Sequence, residues 1–185
     1  YKESTFKDQE AQKWWLSKSL LNFRKKLNNL NITLEIVQTN SFKIFFDKLI
    51  KKRDFSIYWN KVYEPDYLKF DDYLISSLKD KNIYHERFKG NALNEINEIK
   101  KSDGTPFKVF TPFWRNAEKY YSEKIPSREK SIKKCKKKIN YFKSTIQPEK
   151  ILPKQNWFKN FEKNWFPEEQ SALKELQIFI KDRIA

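Results

Sequence analysis

Three short runs of β-branched and aromatic residues, Ile32–Val37, Phe55–Trp59 and Asn82–Phe88, alternate with longer stretches of helical periodicity. This alternation leaves few folds open. Strands separated by helices cannot pair as hairpins; they return through crossovers and lie parallel, with helices covering the sheet. The expected class is therefore α/β, a Rossmann-like parallel sheet with flanking helices. In such sheets ligands sit beyond the carboxyl ends of the strands. The loop Asn60–Pro65, which follows the second run, occupies that position.

The intervening stretches carry local start and stop signals. Residues 10–29 place Trp14, Leu16, Leu20, Leu21, Phe23 and Leu27 at helical spacing. Ser41 is placed to cap a second helix running to about Lys52. Glu64-Pro65 marks the entry to a third helix, ending near Asp80, with Leu68, Tyr73, Leu74 and Leu78 inward. After Gly90 the pattern changes. Ser102–Pro106 reads as a turn, and Thr111-Pro112 as the start of a helix reaching about Tyr121. From Lys124 to Lys154 the chain is Lys-rich and broken by Pro126, Pro148 and Pro153, which reads as a linker, a short basic helix over Ser131–Phe142 being the alternative. Pro167–Ile184 reads as a last helix, with Leu173, Leu176, Phe179 and Ile180 on one face.

Composition narrows the function classes. No apolar run approaches the roughly 20 residues needed to span a bilayer. The lone Cys135 has no internal disulfide partner, so a cytoplasmic, reducing setting is expected. The formal net charge of +15 suits a polyanionic partner. It also fits composition drift toward Lys, because Arg occurs only at 24, 53, 87, 115, 128 and 183. No phosphate-binding Gly loop, dinucleotide fingerprint or nucleophile elbow is present. His85 has no zinc-spaced partners, so no metal site and no catalytic residue are expected in this chain.

Four segments, in one order, carry a resemblance: Gln12-Lys-Trp-Trp-Leu-Ser-Lys-Ser-Leu20, Trp59-Asn-Lys-Val-Tyr-Glu-Pro65, Asp103-Gly-Thr-Pro-Phe-Lys-Val-Phe-Thr-Pro-Phe-Trp-Arg115 and Trp165-Phe-Pro-Glu-Glu-Gln-Ser-Ala-Leu173. Together they resemble the DNA photolyase/cryptochrome family over most of residues 12–184. The resemblance implies an antenna-binding α/β domain over 1–122 lacking its first strands, an interdomain linker over 123–156, and the start of a helical FAD-binding domain over 157–185. On this reading the chain is a fragment, inactive alone, of a monomeric photo-lyase that splits cyclobutane pyrimidine dimers in UV-damaged DNA. The dimer is flipped into a pocket, and the flavin carries the electron chemistry. FAD would lie in the remaining helical domain, and an antenna chromophore of folate, deazaflavin or flavin type near the α/β domain. Three departures weaken transfer of antenna contacts: Val62 stands where Arg is common, Glu168 where Gly follows Pro167, and Asn94-Glu95 where Glu-Pro is usual.

Candidate site residues follow. Asn60, Tyr63 and Glu64 either contact the antenna or form an ordinary turn. Phe110, Phe113, Trp114 and Arg115 either wall the boundary between two domains or pack a core. Lys133, Lys134, Lys136 and Lys137 either contact DNA or form a solvated face. Two other functions remain open: a cryptochrome-type photoreceptor that signals without repair, and a basic nucleic-acid-binding α/β module without photochemistry.

Overall fold

The structure, a computed structural model, describes residues 9–52, 54–90, 92, 95, 98–123, 132–139 and 143–184. Contacts divide the chain into two compact units, one of Tyr1–Asn40 with Lys130–Ala185, the other of Ser41–Glu129.

The second unit carries the sheet. Helix α2 (Phe42–Ile50) starts where predicted, with the Ser41 hydroxyl accepting from the Ile44 amide at 3.3 Å. Strand β1 (Ile57–Asn60) leads through a short loop into helix α3 (Pro65–Asp80), whose proline occupies the first turn, where no amide is needed. Strand β2 (His85–Phe88) then lies parallel to β1, pairing Ile57 with His85 and Asn60 with Phe88. This β-α-β unit confirms the α/β class, as a two-stranded parallel sheet with flanking helices. Helix α4 (Phe110–Glu123) follows.

Alternation along the strands gives the two faces different fates. Ile57 and Trp59 of β1, with Phe46, Phe55 and Phe70, pack against a buried cluster of Ile50, Leu74, Leu78 and Ile83. Burying each such aliphatic side chain contributes about 1.5–3 kcal/mol. The opposite face carries Tyr58 and Phe88, both exposed and stacked with ring centroids 6.3 Å apart.

Two asparagines stop helices by the same device. Asn82, at φ 53°, follows α3; its amide bonds Lys79 O, and the Ile83 amide bonds Leu78 O, both at 2.9 Å. This is a left-handed cap with its hydrophobic contact, Ile83 against Leu78, inside the core. Asn31, at φ 58°, ends helix α1 (Glu10–Asn29) in the other unit with the equivalent pair of bonds to Asn28 O and Leu27 O.

That other unit is built on α1. Trp14 and Ser17 form its buried stripe, and the Ser17 hydroxyl donates to Pro148 O at 2.8 Å. Pro148–Ile151 and Trp157–Lys163 are 3₁₀ turns packed around an aromatic group of Trp14, Phe158 and Phe161. Leu16 and Phe23 of the same apolar series are exposed. Helix α5 (Glu169–Phe179) ends in a π turn, Ile180–Ile184, and buries no residue.

Two elements that the sequence suggested are not seen among the described residues. Ile32–Val37 is not a strand: the Ile36 amide bonds Ser144 Oγ, the Gln38 amide bonds Thr145 Oγ1, and Ile36 O accepts from the Thr145 amide. Side-chain hydroxyls thus take bonds that a ladder would have used. The alternative helix over Ser131–Phe142 is not formed within 132–139, where the backbone is irregular. Its Cys135 amide bonds Leu30 O at 2.8 Å, which a continuing helix would not permit. Ser131 and 140–142 lie outside the described residues.

Candidate functional site

The carboxyl ends of β1 and β2 meet at Asn60, Lys61, Lys89 and Gly90. The Lys61 amide bonds Phe88 O at 2.9 Å, extending the ladder one step past the strand. There the chains close up: a Cβ on Gly90 would fall 2.1 Å from Lys61 O. Only glycine permits that approach.

Beyond this crossing lies a network of two lysines, two glutamates and a phenol. Lys61 Nζ reaches Glu95 Oε2 at 2.6 Å, and Tyr63 Oη donates to Glu95 Oε1 at 3.1 Å. Lys89 Nζ pairs with Glu98, whose Oε2 also accepts from the Glu95 amide at 2.8 Å. The Lys61 hydrogen bond, followed by that from Tyr63, holds the Glu95 carboxyl below its ordinary range. Partial burial and the negative Glu95 oxygen push the Tyr63 phenol up. Both shifts favour the states that make the hydrogen bond, a charged glutamate and a neutral tyrosine.

Asp71 supports this end of the sheet from below. It is 5% exposed, accepting from Trp59 Nε1 and from Arg87 Nη1, each at 3.1 Å. One carboxylate thereby ties α3 to both strands. His85 stacks on Trp59, and its Nδ1 lies 3.0 Å from Ile83 O, a bond that requires the proton on that nitrogen. Among the described residues no group of three or more His, Cys, Asp or Glu is placed to hold a metal ion.

Of the three candidate antenna residues, only Tyr63 belongs to the network. Asn60 and Glu64 are exposed. Glu64 stands at the N-cap of α3 without using its carboxylate as a cap. Sequence reasoning missed Lys61, Glu95 and Asp71. The signal for Asp71 was available: it lies three residues before Leu74 and seven before Leu78, on the same helical face as the core.

The other candidates are placed as follows. Phe110 and Trp114 stack at 6.2 Å with nearly parallel rings and are 72% and 45% exposed, so they do not pack a core. Phe113 is half-buried against Phe107, Arg115 is exposed, and Ala117 of α4 is buried. Lys133, Lys134, Lys136 and Lys137 are all exposed. In the first unit, Trp14, Lys18, Asn22, Glu162, Trp165 and Pro167 line an open pocket of about 270 Å³. Its rim is fixed by Lys18 Nζ on Glu162 at 2.6 Å, the contact chiefly responsible for the lowered Glu162 carboxyl.

The network holds no nucleophile beside a base and no oxyanion cradle. Beside it the exposed Asn60 amide and Glu64 carboxylate are open to a ligand.

Comparison with known proteins gives a family for this scaffold. A family model described as DNA photolyase matches residues 2–130. The chain is 30% identical over 172 residues to a deoxyribodipyrimidine photo-lyase of Agrobacterium fabrum, covering 92% of this chain and 36% of that protein. It is 26% identical over 114 residues to cryptochrome-2 of Arabidopsis thaliana, covering 61% of this chain and 19% of that one. Among solved structures it matches a bacterial class III photolyase from Agrobacterium tumefaciens with a TM-score of 0.69 and 30% identity, over 93% of this chain and 36% of that one. The chain thus spans about a third of the length of the photolyase relative it matches.

Proposed function

This chain belongs to the DNA photolyase family, and from that premise we propose that it is part of a light-driven DNA repair enzyme. The parent would split cyclobutane pyrimidine dimers in UV-damaged DNA by electron donation from reduced FAD. One observation carries the reading: a deoxyribodipyrimidine photo-lyase aligns over 92% of the chain. The proposed division of labour has an α/β part over 1–122, a linker over 123–156, and from 157 the start of a helical part that would hold FAD. No residue here is assigned to FAD or to bond cleavage.

The part proposed for this chain is antenna binding. The end of β1 and the loop after it offer the Asn60 amide and the Glu64 carboxylate, both exposed, beside a phenol fixed on Glu95. These groups fit the polar edge of a heteroaromatic chromophore without enclosing it. Asn60 and Glu64 would contact such a group, and Tyr63 would set the loop's position. A bound antenna supplies light collection. The exposed Phe110–Trp114 stack, with Phe113 and Arg115 beside it, is the surface proposed to meet the flavin-binding part. A cytoplasmic monomer is proposed for the parent, and among the described residues no helix is long and apolar enough to cross a membrane.

A cryptochrome-type photoreceptor is the second reading, favoured by the 26% identity to cryptochrome-2. Expression from the complete reading frame separates the two. Blue light should restore dimer-containing DNA to pyrimidines under the first reading, and leave it unrepaired under the second.

A further inference from the structure

The basic segment 132–139 is not presented as a free linker would be. Its middle is fastened to the end of α1: the Cys135 amide bonds Leu30 O at 2.8 Å, and the Asn31 side-chain amide bonds Cys135 O at 2.8 Å. Lys138 Nζ adds a bond to Asn28 Oδ1 at 2.9 Å. The left-handed Asn31 at the helix end turns its own side chain to this use. Lys133, Lys134, Lys136 and Lys137 stand exposed on either side of the fastened residue. Elsewhere Lys18, Lys26, Lys61 and Lys89 each meet a glutamate. Lys133, Lys134, Lys136 and Lys137 meet no carboxylate among the described residues, and positions 130–148 contain no Asp or Glu.

We propose that residues 132–139 are an anchored phosphate-binding strap, in which Lys133, Lys134, Lys136 and Lys137 take the sugar-phosphate backbone of duplex DNA. Anchoring matters because a fixed backbone pays less ordering entropy on binding than a disordered tail. Charge density matters as well. Five residues span at most about 17 Å, over which a duplex presents about ten phosphates, so the strap meets more negative charge than it can neutralise. Seating on an acidic membrane would call for an amphipathic helix, and the segment is irregular. Only the choice of DNA among polyanions rests on the photolyase reading. Contact is with phosphates, so the strap adds affinity without sequence or lesion preference.

The test uses the protein expressed from its complete reading frame. Binding of an undamaged 20-base-pair duplex is measured against salt for wild type, for K133Q/K134Q/K136Q/K137Q, and for K79Q/K81Q/K100Q/K101Q, which removes the same charge from exposed lysines elsewhere. Each phosphate contact contributes about 0.9 to the slope of log K on log salt. The strap variant should lose about 3.6 from that slope and bind at least tenfold more weakly at 100 mM salt. The control should lose less than one. The corresponding Lys→Arg variant should restore the slope, and thermal unfolding of all variants should match wild type. Equal slope losses in strap variant and control, no loss, or no duplex binding by wild type would overturn the proposal. So would a strap variant that keeps its DNA affinity but loses binding to vesicles containing one-third phosphatidylserine. Dimer repair under blue light is read at saturating DNA in the same samples. Slope loss without any repair activity sinks the photolyase reading and leaves the strap standing. Repair with unchanged slopes does the reverse.

Discussion

Asp71 serves three elements with one carboxylate, so its removal strands two donors, the Trp59 indole and the Arg87 guanidinium. Arg87 is partly exposed and finds water, which lowers the cost below that of a fully buried pair. Asp71→Ala is expected to destabilise the second unit by about 2 kcal/mol, read as a shift in the urea midpoint. The two glycines should separate cleanly. Gly90→Ala places a methyl on Lys61 O and should cost about 2 kcal/mol or more. Gly104, at φ 80° with open space around it, should cost about 1 kcal/mol when replaced by alanine, from backbone strain alone. Glu95 and Tyr63 bound a pH window. A depressed carboxyl stabilises the fold above its unfolded pKa, and that contribution fades as pH falls through the acid range below about 4. A raised phenol contributes fully below its unfolded pKa, and its contribution fades as pH rises past about 10. Lys61→Gln should move the Glu95 titration up toward its ordinary value in carboxyl-resolved NMR. A Glu95 titration that stays in place would break the link between the two residues.

Helices were legible where their signals were local. Ser41 as a cap, Pro65 in a first turn and the apolar spacing of Leu74 and Leu78 all lie within a few residues of the features they specify. Ile32–Val37 was misread because its β propensity is real but its partners, Ser144 and Thr145, sit about a hundred residues away and offer hydroxyls. The alternative of a helix in the basic segment fails for the same reason, since Cys135 is committed to Leu30. At the candidate site the loop Asn60–Glu64 could be placed from strand spacing. Its Glu95 partner could not, because residue 95 lies beyond β2 and nothing local marks it. Burial sets a hierarchy among the helices. α3 buries Asp71, Leu74 and Leu78, whereas the eleven residues of α5 bury none. Isolated helices of that length are marginal in water. In the 185-residue chain, α5 amides should exchange hydrogen near unstructured rates and α3 amides at least a hundredfold more slowly.

Parallel sheets are ordinarily covered on both faces, yet Tyr58, Tyr84 and Phe88 lie open on one side of this one. Leu176 and Phe179 of α5 and Ile180 just after it are likewise half exposed. So much exposed apolar surface promotes self-association. The 185-residue polypeptide expressed alone is therefore expected to elute from a sizing column as oligomers, and Leu176→Lys with Phe179→Lys should raise its soluble yield. Family membership rests on the match over residues 2–130 and the α/β class on the β-α-β unit, whereas repair rests on the proposed parent. The measurement that bears on it most directly is dimer content in a defined cyclobutane-dimer oligonucleotide, incubated with the protein expressed from its complete reading frame, under blue light and in darkness. The account expects dimers to disappear in light with intact pyrimidines as product, and to persist in the dark. Dimers that persist equally in light and darkness, with a bound and reduced flavin present, would contradict it.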